Sequence, residues 1–167
     1  MSYPDARYLG DKGETSARYR PADQEPELRI VPGTAVRYLA TGASTSGKFG
    51  LYRWDARPHT PGPSAHFHRT MSESFFILSG TVRLFNGERW IDATAGGFLY
   101  VPEGGVHAFR NESDEPASML LLFAPGAPRE AYFEALAELA AGRQFSKEEW
   151  TDLCRRHDNY FIELSRP

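Results

Sequence analysis

The sequence holds one cysteine, Cys154, so no disulfide can close within the chain, and a lone thiol fits a reducing compartment. No apolar run approaches the ~20 residues of a membrane span. The opening residues, Met1-Ser2-Tyr3-Pro4-Asp5, lack the basic-then-apolar pattern of a secretory signal. Charge of one sign is also missing: 19 basic residues face 22 acidic ones, the net charge is −3, and no Lys/Arg run occurs. That balance argues against a nucleic-acid or anionic-membrane surface. Repeats, low-complexity segments and Walker, Rossmann or hydrolase signatures are absent as well. These absences lead to the expectation of a cytoplasmic protein whose partner is a small molecule.

What is present describes one domain. The 167 residues are 41% hydrophobic and 13% aromatic, enough for a single packed core. Residues 1–27 are polar, contain Pro4, Pro21 and Pro26, and read as an N-terminal arm. Residues 28–125 read as about eight to ten short strands separated by Gly/Pro turns, the pattern of an all-β sandwich or jelly roll. The strand candidates are Leu28–Val31, Ala35–Ala40, Phe49–Asp55, the segment of His66 and His68, Glu73–Leu78, Thr81–Phe85, Glu88–Asp92, Phe98–Val101, Val106–Arg110 and Ser118–Phe123. Asn86-Gly87 marks a tight hairpin. Residues 126–167 change period. Pro128–Ala141 reads as a helix with the stripe Tyr132, Leu136 and Leu139, and with Gly142 suited to its end. Ser146-Lys147-Glu148-Glu149 is a capping box opening a second helix with Trp150, Leu153 and Cys154 on one side. Neither helix has a basic face, so the pair reads as a brace on the barrel and not as a DNA reader.

The chemistry concentrates between Gly62 and Asn111. His66 and His68 are two apart, so on a strand both rings leave one face. Arg69-Thr70-Met71-Ser72 reads as a turn that folds the chain back and brings Glu73 beside them. His107 follows the Pro/Gly turn of Val101-Pro102-Glu103-Gly104-Gly105. Three imidazoles and one carboxylate suit a divalent first-row metal. If Glu73 points inward, so do Phe75 and Ile77, and Phe109 shares parity with His107. These three are candidates for a substrate pocket, or ordinary barrel core. Tyr52 and Arg53 lie on one strand with opposite orientations, and the pattern does not choose which faces inward. His59, His157 and Cys154 read as a solvated loop residue, an exposed helix residue and a packing thiol.

Two motifs within this stretch resemble those of the cupins. The first runs His66-x-His68, four residues, Glu73, six residues, Gly80. The second runs Gly96, five residues, Pro102-x-Gly104, two residues, His107, three residues, Asn111. The 15 residues between Gly80 and Gly96 match the short spacing usual in bacterial cupins. Two positions depart: the family's leading glycine would fall at Thr60, whereas the glycine here is Gly62, and Gly97 stands where many members carry Asp. Both concern loop geometry and not the metal positions.

The resemblance implies a double-stranded β-helix, the jelly-roll barrel of cupins, over residues 28–125, with two C-terminal α-helices packed on it over 126–167. It implies one divalent transition metal (Fe, Ni, Mn, Co, Cu or Zn) on His66, His68, Glu73 and His107, with Glu73 also catalytic, and a homodimer. One barrel, two C-terminal helices and the closing segment Asp158-Asn159-Tyr160-Phe161 also look like bacterial quercetinase-type dioxygenases. The expected function is therefore a metal-dependent dioxygenase acting on a small aromatic or enolic metabolite that chelates the metal. A non-oxidative isomerase, lyase or aromatic cyclase, or a non-catalytic metabolite-binding cupin, are the alternatives.

Overall fold

The computed structural model describes residues 2–30 and 33–163. Residues 2–27 carry no helix or strand and are largely exposed. Eleven strands and two helices follow among the described residues. In chain order the strands are β1 (Leu28–Ile30), β2 (Thr34–Ala40), β3 (Gly50–Ala56), β4 (His66–Phe67), β5 (Ser72–Ser79), β6 (Thr81–Phe85), β7 (Trp90–Thr94), β8 (Phe98–Val101), β9 (Ala108–Arg110) and β10 (Ala117–Ala124). The helices α1 (Glu130–Ala140) and α2 (Lys147–Arg156) come next, and β11 (Tyr160–Phe161) is the last element among the described residues. Val31 and Pro32, expected to end the first strand, lie outside the described residues.

Two sheets face each other. The larger runs β1-β2-β3-β10-β5-β8; the other face is made by β7-β6-β9 and by β11-β4, which an isolated bridge between His66 and His107 joins to the β9 segment. Alternation does the sorting. On β5, Phe75 and Ile77 are fully buried while Phe76 and Leu78 stay partly exposed. On β3, Tyr52 and Trp54 turn inward, which answers the question left open by the pattern: Arg53 lies outside, where its Nε donates to Asp55 at 2.8 Å. The outer face of the larger sheet stays apolar at one edge, with Phe76, Leu78, Phe98 and Tyr100 exposed.

The hairpin at Asn86-Gly87 forms with a longer loop than a two-residue turn. Phe85 pairs with Trp90, so β7 begins at Trp90 and not at Glu88. The cause is the Asn86 side chain, whose Oδ1 accepts from the backbone N–H of Glu88 and Arg89 at 3.1 and 2.9 Å and so supplies the loop's own hydrogen bonds. Gly62, the displaced glycine of the first motif, has a steric reason. A Cβ there would lie 1.6 Å from the Phe109 carbonyl oxygen, so only glycine lets this loop lie against β9.

Helix α1 packs through Tyr132, Phe133 and Ala135, with Leu136 half-buried. Phe133 is the centre of this contact, its ring edge-on to Tyr52 at 5.1 Å and to Trp54 at 5.4 Å. Leu139, expected on the buried stripe, is 42% exposed. The aromatic cluster rotates the buried face toward Phe133, and Leu139 falls beyond it.

Helix α2 opens on the expected capping box. Ser146 Oγ accepts from Glu149 N–H at 3.1 Å, and the Glu149 carboxylate accepts from Ser146 N–H at 2.7 Å. Ser146→Ala is expected to cost about 1 kcal/mol of stability, read as a lower urea midpoint at unchanged slope. An unchanged midpoint would show that tertiary contacts, and not the cap, hold this end of the helix.

Candidate metal centre

His66, His68, Glu73 and His107 come together, all four buried, with one ligating atom from each lying within 4.8 Å of the others. The route differs in part from the expected one. The chain does not fold back at Arg69–Ser72 into a paired hairpin. Instead β4 pairs with β11, and Glu73 arrives on β5 in the opposite sheet. The group therefore spans the interior, with two histidines from one wall, Glu73 from the other, and His107 on the bridge to His66.

Each imidazole is held by a backbone carbonyl. Nδ1 of His66 donates to Ser64 at 2.9 Å, that of His68 to Asp158 at 2.6 Å, and that of His107 to Gly105 at 3.0 Å. Carbonyl oxygens only accept, so each Nδ1 carries its proton, and a neutral ring then presents a lone pair on Nε2. Glu73 Oε2 lies 3.1 Å from Nε2 of His68 and 2.8 Å from Nε2 of His107. A carboxylate oxygen this close to two such nitrogens needs positive charge between them, either a second proton on the ring or a cation. With metal–donor bonds of about 2.1 Å, neighbouring donors around one ion lie roughly 3 Å apart. The donor set and its spacing fit a divalent transition metal.

The electrostatics agree. Burial raises the Glu73 pKa, but its hydrogen bonds and charge interactions with His107 and His68 more than offset this and hold the carboxyl well below the usual range. Burial, then the neighbouring His107, push His66 down to about 3, so its ring is neutral near pH 7. Burial is the largest influence on His107 and opposes its protonation, yet the hydrogen bond and charge of Glu73, with the Gly105 carbonyl, together outweigh it and its pKa is raised.

On one side the group is open. His66 and Glu73 line a cavity of about 900 Å³ whose walls are mostly apolar, among them Trp54, Phe109, Phe123, Tyr132, Trp150 and Phe161. Of the three pocket candidates, Phe109 lines this cavity. Phe75 and Ile77 are fully buried in the core, with the Phe75 ring 5.8 Å from that of His107. His59 lies apart from the group in a loop, its Nε2 2.9 Å from Asp114. His157 caps α2, half-buried, its ring 5.9 Å from Tyr132. Cys154 is buried, and burial raises its pKa to about 11, which leaves the thiol protonated and inert near neutral pH.

Two residues essential to this architecture carried no motif. Asp158, at φ 56°, places its carbonyl on His68 and its carboxylate on the backbone N–H groups of Arg69 and Thr70 at 2.9 and 2.8 Å. Arg129, at the N-cap of α1, is 3% exposed and lines the cavity. The signal for Asp158 was its residue type, since Asp tolerates the left-handed region.

The Cupin domain family matches residues 52–123, which contain all four members of the group. The chain carries a cupin domain. Over 118 residues it is 28% identical to quercetin 2,3-dioxygenase of Bacillus subtilis, a match covering 70% of this chain and 34% of that protein. The chain thus spans about a third of the length of this curated relative. Among solved structures, the cupin barrel is similar to a predicted oxalate decarboxylase of Thermotoga maritima (TM-score 0.58, 17% identity, 65% of this chain and 99% of that one). It is also similar to the polyketide cyclase RemF of Streptomyces resistomycificus (TM-score 0.55, 20% identity, 67% of this chain and 80% of that one). Both share the double-stranded β-helix fold. Among the described residues no helix is long and apolar enough to cross a membrane.

Proposed function

We propose that this cupin is a metal-dependent dioxygenase acting on a small aromatic or enolic metabolite that chelates the metal. The observation that carries the reading is the opening of a buried three-histidine, one-glutamate group onto an aromatic-lined cavity. A structural metal would be enclosed, whereas a reactive one keeps open positions. The 28% identity to a quercetin dioxygenase supports oxygen chemistry over the other reactions this fold hosts.

A divalent ion held by His66, His68, Glu73 and His107 would supply Lewis acidity and, with a redox-active metal, access to O2. The chain's own contribution is separate. The three carbonyl-anchored imidazoles keep Nε2 aimed at the centre without rearrangement. Glu73, held ionised and lining the cavity, accepts the proton of a substrate enol at its carboxylate. Phe109, Phe123 and Phe161 exclude water and accept a flat ring against their faces.

The test is oxygen uptake by protein separately reconstituted with Fe, Mn, Co, Ni and Cu, offered quercetin and phenylpyruvate, in air and under strict anaerobiosis. O2 consumption matching substrate loss is expected with at least one metal. Turnover that continues undiminished without O2 would replace the dioxygenase with an isomerase, lyase or cyclase. Ligand-induced stabilisation without product under every metal would leave a binding protein.

A further inference from the structure

The cavity beside the histidine–glutamate group contains a full positive charge that no carboxylate among the described residues pairs. Arg129 is buried, yet it lines the cavity. A guanidinium has five N–H donors. Here Nη1 donates to the His157 carbonyl and Nη2 to Asn159 Oδ1 at 3.2 Å, while Nε has no acceptor. Among the described residues none offers it a carboxylate within 4 Å; instead the group lies over aromatic faces, 4.7 Å from Tyr132 and 5.0 Å from Phe123. Burial lowers its pKa, and the charge of Glu73, the largest influence in the other direction, offsets this only in part.

Bracing His157 and Asn159 does not account for this. Both acceptors are neutral oxygens, and neutral donors serve such a role without the desolvation cost of a buried cation. The aromatic contacts compensate only part of that cost. An anion bound against the free Nε–H would supply the rest. The wider cavity has the same bias: Lys147 and Arg155 also line it, against Glu163 and a Glu73 already engaged by two imidazoles.

The geometry points to Arg129 as the anion receptor of this site, binding a carboxylate or comparable oxyanion of a substrate whose other end reaches the His66, His68, Glu73 and His107 group. This rests on the reading of the cavity as the substrate site and narrows the substrate class. The substrate is an aromatic or enolic acid, with a flat apolar body between its anionic group and its chelating oxygens, and not a neutral polyphenol. Arg is suited to this because its planar fork meets a carboxylate with two parallel hydrogen bonds.

The test compares naphthoate with naphthamide, one shape with and without the charge, by calorimetric titration of the full chain as purified, with its metal content measured. The wild type is expected to bind naphthoate about tenfold or more tightly than naphthamide. That preference should vanish in Arg129→Gln and persist in part in Arg129→Lys. It should also survive the rim variant Lys147→Gln/Arg155→Gln. Equal binding of the two probes by the wild type, binding of neither, or full preference in Arg129→Gln would overturn the proposal; the last would assign the carboxylate to the metal or the rim. If Arg129→Gln does not fold, the wild-type comparison and Arg129→Lys still decide. Failure here is separable from failure of the dioxygenase reading. A naphthoate preference without O2 uptake keeps the receptor and removes the oxygenase, and O2 uptake without the preference does the reverse.

Discussion

His107→Ala is expected to lower the metal bound per chain on the order of 100-fold or more, because loss of an outer-shell partner alone already costs about 10–100-fold. The measurement is elemental analysis after gel filtration in metal-free buffer. His107 is fully buried, and its Nε2 makes the shorter of the two contacts to Glu73 Oε2. Without it the remaining donors come from β4, the residue that follows it and β5, and Glu73 loses its largest stabilising partner. The fold should survive. The bridge between His66 and His107 is made by backbone groups, at 3.0 and 2.9 Å, which alanine retains. Circular dichroism should therefore match the wild type while metal content collapses. His66→Ala should behave in the same way. Full occupancy in both variants would remove these residues from any metal site.

Much of this site was legible because its determinants are local in sequence. His66-x-His68 on a strand, Glu73 at the start of the next one and His107 after a Pro/Gly turn need only strand parity and turn chemistry to be placed. Tyr52 and Trp54 were less legible, since both faces of β3 carry large side chains and only their packing against Phe133 of α1, with Phe123 of the neighbouring β10 beside Tyr52, selects one. Leu139 misled for a related reason. A helical stripe specifies a face but not which part of it meets the barrel, and here the rings of Tyr132 and Phe133 meet it. Least legible was the contribution of the C-terminal segment. The pairing of β11 with β4, Tyr160 to Phe67 and Phe161 to His66, joins positions more than 90 residues apart. No spacing rule links such positions. Arg129 and Asp158 take their roles from that docking, so their importance emerges only once the tail lies across the histidine strand.

Asp158→Ala tests that docking and should weaken metal binding by about 10–100-fold, the range for losing an outer-shell partner. Asp158 acts twice. Its carbonyl accepts from His68 Nδ1 at 2.6 Å and so fixes the tautomer that leaves Nε2 free. Its carboxylate gathers Arg69 N–H, Thr70 N–H and Thr70 Oγ1 at 2.9, 2.8 and 2.8 Å, which ties down the crossing from β4 to β5 between His68 and Glu73. Alanine keeps the carbonyl but loses the carboxylate, and a left-handed backbone at φ 56° costs an alanine about 1–2 kcal/mol. The carbonyl then has no reason to stay on His68. Asp158→Asn keeps a side-chain oxygen and tolerates the same φ, so its loss should be clearly smaller. Competition between each loaded protein and a fluorescent zinc chelator reads the order directly: wild type tightest, Asn intermediate, Ala weakest. If Asp158→Ala held zinc as tightly as the wild type, His68 would be oriented by the barrel alone, and the tail would cover the site without shaping it.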